Sequence, residues 1–142
     1  MSVRACDDLA RHLQVRRQIL GHQRHQAARI VEVDSKTWSS WETGVREPFV
    51  HQYPAILRYL EYEPWPPPAC LAEALLAERR RRGLSVASAA SSIDVDEGTW
   101  RRWERGEWQV TRACADKLAQ LFGQPIEKRF PEATRGRAAR VT

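Results

Sequence analysis

Apolar residues recur along the chain at helical spacing. Leu9, Leu13 and the Ile19/Leu20 pair form one stripe, and Leu71, Leu75 and Leu76 form a later one. Gly21 and Gly83 stand where these two helices should stop. Asp34 and Asp96 are N-cap candidates for a third helix in each half, reading SKTWSSWE and EGTWRRWE, with Gly44 and Gly106 just past its end. Ser85 is a good N-cap for the short second helix of the later half, whereas Gln23 in the matching place is weak. A fourth helix is expected over residues 52–61, with Pro54 in its first turn and Ile56, Leu57 and Leu60 inward. Its counterpart starts at Thr111 and carries Ala115, Leu118, Ala119, Leu121 and Phe122. No window alternates with period two, so the expected class is all-α.

The two halves are one unit written twice. Shifting the chain by 62 positions superposes Leu9 on Leu71, Leu13 on Leu75, Arg17 on Arg79 and Gly21 on Gly83. It continues through Ala28/Ala90, Asp34/Asp96, Trp38/Trp100, Trp41/Trp103, Glu42/Glu104 and Gly44/Gly106. From Leu9 to Gly44 there are 14 identities in 36 positions without a gap. Chance would give about two or three at average residue frequencies. Between the copies lies YEPWPPPAC, whose Pro66-Pro67-Pro68 run forbids helix and favours a short stiff segment. The expected organisation is a first domain over 1–63, a Pro-rich linker over 64–69, a second domain over 70–123 and a basic tail over 124–142.

At VDSKTWSSWETG and VDEGTWRRWERG the unit resembles the Cro/lambda-repressor-type helix-turn-helix family, also called the XRE family. The resemblance rests on the Leu-x-x-x-Arg-x-x-x-Gly of helix one, Ala28 and Ala90 of helix two, and the Trp-Glu-x-Gly that closes helix three. It implies two tandem lambda-repressor-like helix-turn-helix bundles, each placing its third helix in the major groove of double-stranded DNA. It also implies a partly buried ion pair joining Arg17 to Glu42, and Arg79 to Glu104. The tight turn before helix three usually carries Gly but holds Glu32 and Asp94 here. A left-handed conformation is uncomfortable for Glu, so the first copy's turn is expected to be distorted.

Composition adds less than the repeat does. The chain has 142 residues, 42% hydrophobic and 29% charged, with a formal net charge of +5. That balance excludes wholesale disorder, and no stretch approaches the roughly 18 apolar residues of a spanning helix. Cys6, Cys70 and Cys114 are odd in number and widely spaced, and no apolar signal core opens the chain, so a reducing cytoplasm is expected. The +5 divides as +1 over 1–63, +1 over 64–123 and +3 over 124–142, so neither unit is basic as a whole. The tail (Lys128, Arg129, Arg135, Arg137, Arg140) reads as a sequence-blind phosphate arm or a solubilising end.

Trp38, Trp41, Trp100 and Trp103 are read as core rather than as stacking platforms for unpaired bases. The candidates for base readout are Ser35, Lys36, Ser39 and Ser40 in the first copy, and Glu97, Arg101 and Arg102 in the second. Lysine and arginine donate to guanine, serine bonds several bases, and Glu97 would accept from cytosine N4. Arg24, at the start of helix two, matches a family position that touches phosphate, while the second copy has Val86 there. Arg46 and Arg105 are further phosphate candidates. A zinc site from His22, His25 and Cys6 matches no established ligand pattern. No cofactor motif, activated nucleophile or paired acid and base appears, so an enzyme is not expected. The reading is a transcriptional repressor, as an internal pseudo-dimer or a homodimer. Its rival is a protein-binding module, such as a toxin-neutralising antitoxin or a phage-type enzyme inhibitor, acting through Val86, Glu97 and exposed Trp65 and Trp108.

Overall fold

The computed structural model describes the backbone of residues 5–134 and side chains from Leu9 onward. These residues are helical, without a strand, and fall into two compact units. Among the described residues the first runs as far as Pro67 and includes Arg81–Gly83, and the second comprises Pro68–Arg80 and the residues from Leu84 to Thr134.

In the first unit α1 (Ala5–Leu20), α2 (Arg24–Ile30), α3 (Ser35–Glu42) and α4 (Tyr53–Leu60) follow one another, with a 3-10 turn at Val50–Gln52 leading into α4. Leu9, Leu13, Ala27, Ala28, Val31, Trp38, Trp41, Ile56, Tyr59 and Leu60 close one core. The apolar stripe expected on α1 is shorter than its sequence suggested, since Ile19 is 70% exposed and Leu20 is exposed as well. At about 100° per residue Ile19 points about 120° away from Leu13, and Leu20 is the last residue of the helix. The inward position one turn beyond Leu13 belongs to Arg17.

In the second unit α5 (Leu71–Arg82), α6 (Val86–Ser92), α7 (Glu97–Glu104) and α8 (Arg112–Phe122) are followed by a short α9 (Ile126–Arg129) and a 3-10 turn at Pro131–Ala133. Leu71, Leu75, Ala89, Ala90, Trp100, Trp103, Val110, Ala115 and Leu118 form its core, together with Ile126 and Phe130. Residues 124–134 therefore pack into the second unit instead of leaving it as the basic arm expected. Ile126 and Phe130 supply the apolar surface that draws them in, and Val110 N donates to Ala133 O at 2.7 Å. Arg135, Arg137 and Arg140 lie outside the described residues.

Helix ends follow the local chemistry. The Asp34 carboxylate accepts from Thr37 N at 2.7 Å and that of Asp96 from Gly98 N at 2.9 Å. Ser85 and Thr111 cap α6 and α8 through Ser88 N and Cys114 N. Gln23 does not cap with its own side-chain oxygen in the usual way; its backbone N donates to Gln26 Oε1 at 2.7 Å, which ties the first turn of α2.

The turn before α3 is not distorted. Glu32 adopts φ +62° and Asp94 φ +56°, and the backbone around both is bonded alike. Val33 N donates to Ala28 O at 2.9 Å, and Val95 N to Ala90 O at 3.0 Å. The left-handed conformation costs a non-glycine residue roughly 1–2 kcal/mol, which two packed helices on either side can bear.

One polar network recurs in both cores. Arg17 donates through Nε to Glu42 Oε2 at 2.6 Å and through Nη2 to Oε1 at 3.1 Å, while its Nη1 reaches His22 O at 3.1 Å. The indole of Trp38 donates to the same Glu42 carboxylate. Arg79 repeats this on Glu104 at 2.5 and 2.9 Å and on Leu84 O at 3.1 Å, with Trp100 Nε1 donating to Glu104 at 2.5 Å. Burial alone would raise the Glu42 carboxyl. The hydrogen bonds from Arg17 and Trp38, with the charges of Arg17 and Arg24, outweigh it and hold the group below the ordinary range. A depressed carboxyl stabilises the fold above its unfolded value, about 4.3, and that contribution disappears as pH falls through the folded value. Glu42→Gln should thus lower the melting temperature most at neutral pH. The gap from the parent should narrow below about pH 4, and thermal melts across pH that kept it constant would contradict a charged role for Glu42.

Candidate nucleic-acid interface

The third helix of each unit packs its two tryptophans inward, so it turns its other residues out. In the first unit Ser35 and Lys36 open α3 and are exposed, while Ser39 and Ser40 are half-buried. The Ser40 hydroxyl donates to Thr37 O at 2.7 Å, which leaves its oxygen as an acceptor. Arg46, in the loop after α3, is exposed. Arg24 is exposed too, but its Nε lies 3.3 Å from Glu42 Oε1. The buried Glu42 carboxylate thus faces two guanidiniums and an indole, and this cluster carries one positive charge in excess. Sequence reasoning placed Arg24 on phosphate and missed this contact. The signal for it was Arg24 itself, the one cation at the start of a helix whose counterpart begins with Val86.

The second unit presents a different face. Arg101 Nη2 sits 2.6 Å from Glu97 Oε2, one turn earlier on α7. The Arg102 guanidinium lies over the Trp108 ring, 4.5 Å from its centroid. Arg105 Nη1 is 3.8 Å from Glu107 Oε2. All three arginines are therefore engaged within their own unit, through exposed contacts that are individually weak. Lys117 of α8, which sequence reasoning passed over, donates to Asp94 O at 2.7 Å and braces the left-handed turn before α7.

The two tryptophans offered as exposed part company. Trp108 is 52% exposed, whereas Trp65 is half-buried against the first core, 6.0 Å from the Tyr53 ring. Among the described residues no group of three His, Cys, Asp or Glu is placed to hold a metal, and no helix is long and apolar enough to cross a membrane. Cys70 and Cys114 are half-buried thiols, Cys114 against the second core.

Two short helices joined by a tight turn, the second capped by Asp and pinned by a buried Trp-Glu pair, define a helix-turn-helix. Residues 71–129 match the family model described as helix-turn-helix domain. Over 58 residues the chain is 39% identical to a protein of Pyrobaculum aerophilum named "Putative HTH-type transcriptional regulatory protein"; the match covers 41% of this chain. The chain spans 23% of the length of that relative. No solved structure matches.

Arg17 and Arg24 make unequal claims on Glu42. Arg17→Ala removes a bidentate, nearly buried partner and should cost about 3–5 kcal/mol. Arg24→Ala leaves Glu42 with Arg17 and Trp38, and should cost less than about 1 kcal/mol, because Arg24 is half exposed. Denaturant titration of the two variants separates them, and equal losses would refute the ranking.

Proposed function

We propose that the chain is a double-stranded DNA-binding transcriptional regulator, acting in the cytoplasm as a repressor, that reads the major groove with α3 and α7. The observation that carries this reading is the match of residues 71–129 to the helix-turn-helix domain family model. The same Arg-Glu-Trp network and left-handed turn in the first unit support a second copy of the domain there, and so a tandem protein. On this reading Lys36, with Ser35, Ser39 and Ser40, reads bases from α3; Glu97, Arg101 and Arg102 read them from α7. Arg24, Arg46 and Arg105 hold phosphates, which sets position without sequence information.

Two linked readers raise each other's effective concentration when both reach DNA together. The site is then bipartite, with half-sites about 34 Å apart, read by one chain as a pseudo-dimer or by a homodimer. Blocking a promoter is the simplest action for such a pair. A protein partner on the second unit, such as a toxin or an enzyme, is the second reading, favoured by Val86 and by the pairing of Arg101 with Glu97.

Selection of duplexes from a random pool by the full chain should return a bipartite consensus. Lys36→Ala and Arg102→Ala should each weaken binding to it about tenfold, with unchanged melts. If both variants bind as the parent does, major-groove reading by these helices is excluded. Deleting 135–142 removes Arg135, Arg137 and Arg140 without touching the packed segment before them. It should flatten the salt dependence of log K by about 0.9 for each phosphate that the tail neutralises. An unchanged slope would leave the tail no part in binding.

A further inference from the structure

Beyond the helices that the proposed reading uses, the loop after α7 is built for contact. Trp38, Trp41, Trp100 and Trp103 are closed to solvent, whereas Trp108 stands open. One face of its indole is covered by the Arg102 guanidinium. The two residues after it are tied down. Gln109 Nε2 donates to Glu132 O at 2.9 Å, and Val110, fully buried, pairs with Thr134 in a parallel bridge. The segment 124–134, anchored in the core by Ile126 and Phe130, thus acts as a strap that fixes the loop. An indole covered on one face, in a loop whose next two residues are anchored, loses little conformational freedom when a partner covers its open face.

The surroundings favour a polyanion over a protein. Arg101 of α7, Arg105 just past its end and Arg112 at the start of α8 are exposed, the first two in weak exposed pairs with Glu97 and Glu107. The bridge places Thr134 beside Val110, two residues on from Trp108. The matching loop position of the first unit is Arg46, itself a candidate phosphate contact.

We infer that Trp108, roofed by Arg102 and fixed by the C-terminal strap, is a second contact of this unit with duplex DNA, packing its open indole face on the sugar-phosphate backbone. The indole N–H is a donor suited to a phosphate oxygen, and Arg102, which roofs the ring in the free protein, turns from it to the bases on binding. This rests on the DNA reading of the second unit and assigns it a contact outside the recognition helix.

The test uses the full chain and a labelled duplex recovered from the random pool. Acrylamide quenching of the parent, compared with Trp108→Phe, isolates the emission of Trp108 from that of the other five tryptophans. Bound duplex should shield Trp108. Trp108→Ala should weaken binding about tenfold with an unchanged melt, and Trp108→Phe, which keeps a flat ring, should weaken it less. If the duplex binds while Trp108 stays as open as before, or Trp108→Ala binds as tightly as the parent, this contact is refuted and the DNA reading stands, leaving the surface to a protein partner. If no duplex is recovered at all, the DNA reading falls and takes this contact with it.

Discussion

A single carboxylate, buried in the first unit and part-buried in the second, organises each. Glu42 ends α3 with its side chain almost wholly out of solvent, where an unpaired charge would be prohibitive. It is tolerated because Arg17 brings a bidentate guanidinium from α1 and Trp38 brings an indole N–H from one turn back on α3. The same Arg17 also closes the carbonyl of His22, just past the glycine that ends α1. One ion pair thus fixes the end of α1, the tilt of α3 and the rotamer of the largest core side chain. Glu104, Arg79 and Trp100 do the same in the second unit. The outward face of the third helix is a consequence. With two tryptophans and a glutamate drawn inward at positions three and four apart, the remaining residues have only solvent, or a partner, to face.

Most of the frame was legible because its causes are local. Asp34, Asp96, Ser85 and Thr111 cap helices through their own backbone neighbours, and the glycines end them, so residue type and spacing suffice. The four core tryptophans were readable because the chain states them twice at one offset, and the two Arg-Glu pairs because the family resemblance implies them. What escaped depends on distance in sequence. Nothing near residues 124–134 says that Ile126 and Phe130 find the second core, because their partner Val110 lies well before them. Ile19 and Leu20 misled because composition suggests a longer stripe than the neighbouring helices cover. The Glu32 turn misled in the opposite sense: a local preference of about 1–2 kcal/mol yielded to the packing of the helices on either side.

Of the candidate site, exposure could be inferred but engagement could not. That Lys36 and Arg101 point outward follows from the inward tryptophans. That Arg101 rests on Glu97 is an i,i+4 pair visible on paper, but Arg102 over Trp108 and Arg24 on Glu42 require the fold.

The two units differ most at the surface. Their buried network is the same, while positions around it have diverged: Arg24 against Val86, Ser40 against Arg102, Arg46 against Trp108. The first unit keeps Arg24 half-open above a carboxylate already satisfied by Arg17, so an anion can recruit it without unbalancing the core. The second has Val86 in that place, and its arginines must first leave Glu97, Trp108 or Glu107. Exposed pairs of this kind contribute at most about 1 kcal/mol each, so the exchange is small but not zero. On the DNA reading, a duplex engaging both units therefore meets an open reader on one side and a pre-paired reader on the other. Discrimination at the second half-site then depends on which bases and phosphates compensate for those pairs, and there Trp108 takes the loop position that Arg46 holds in the first unit.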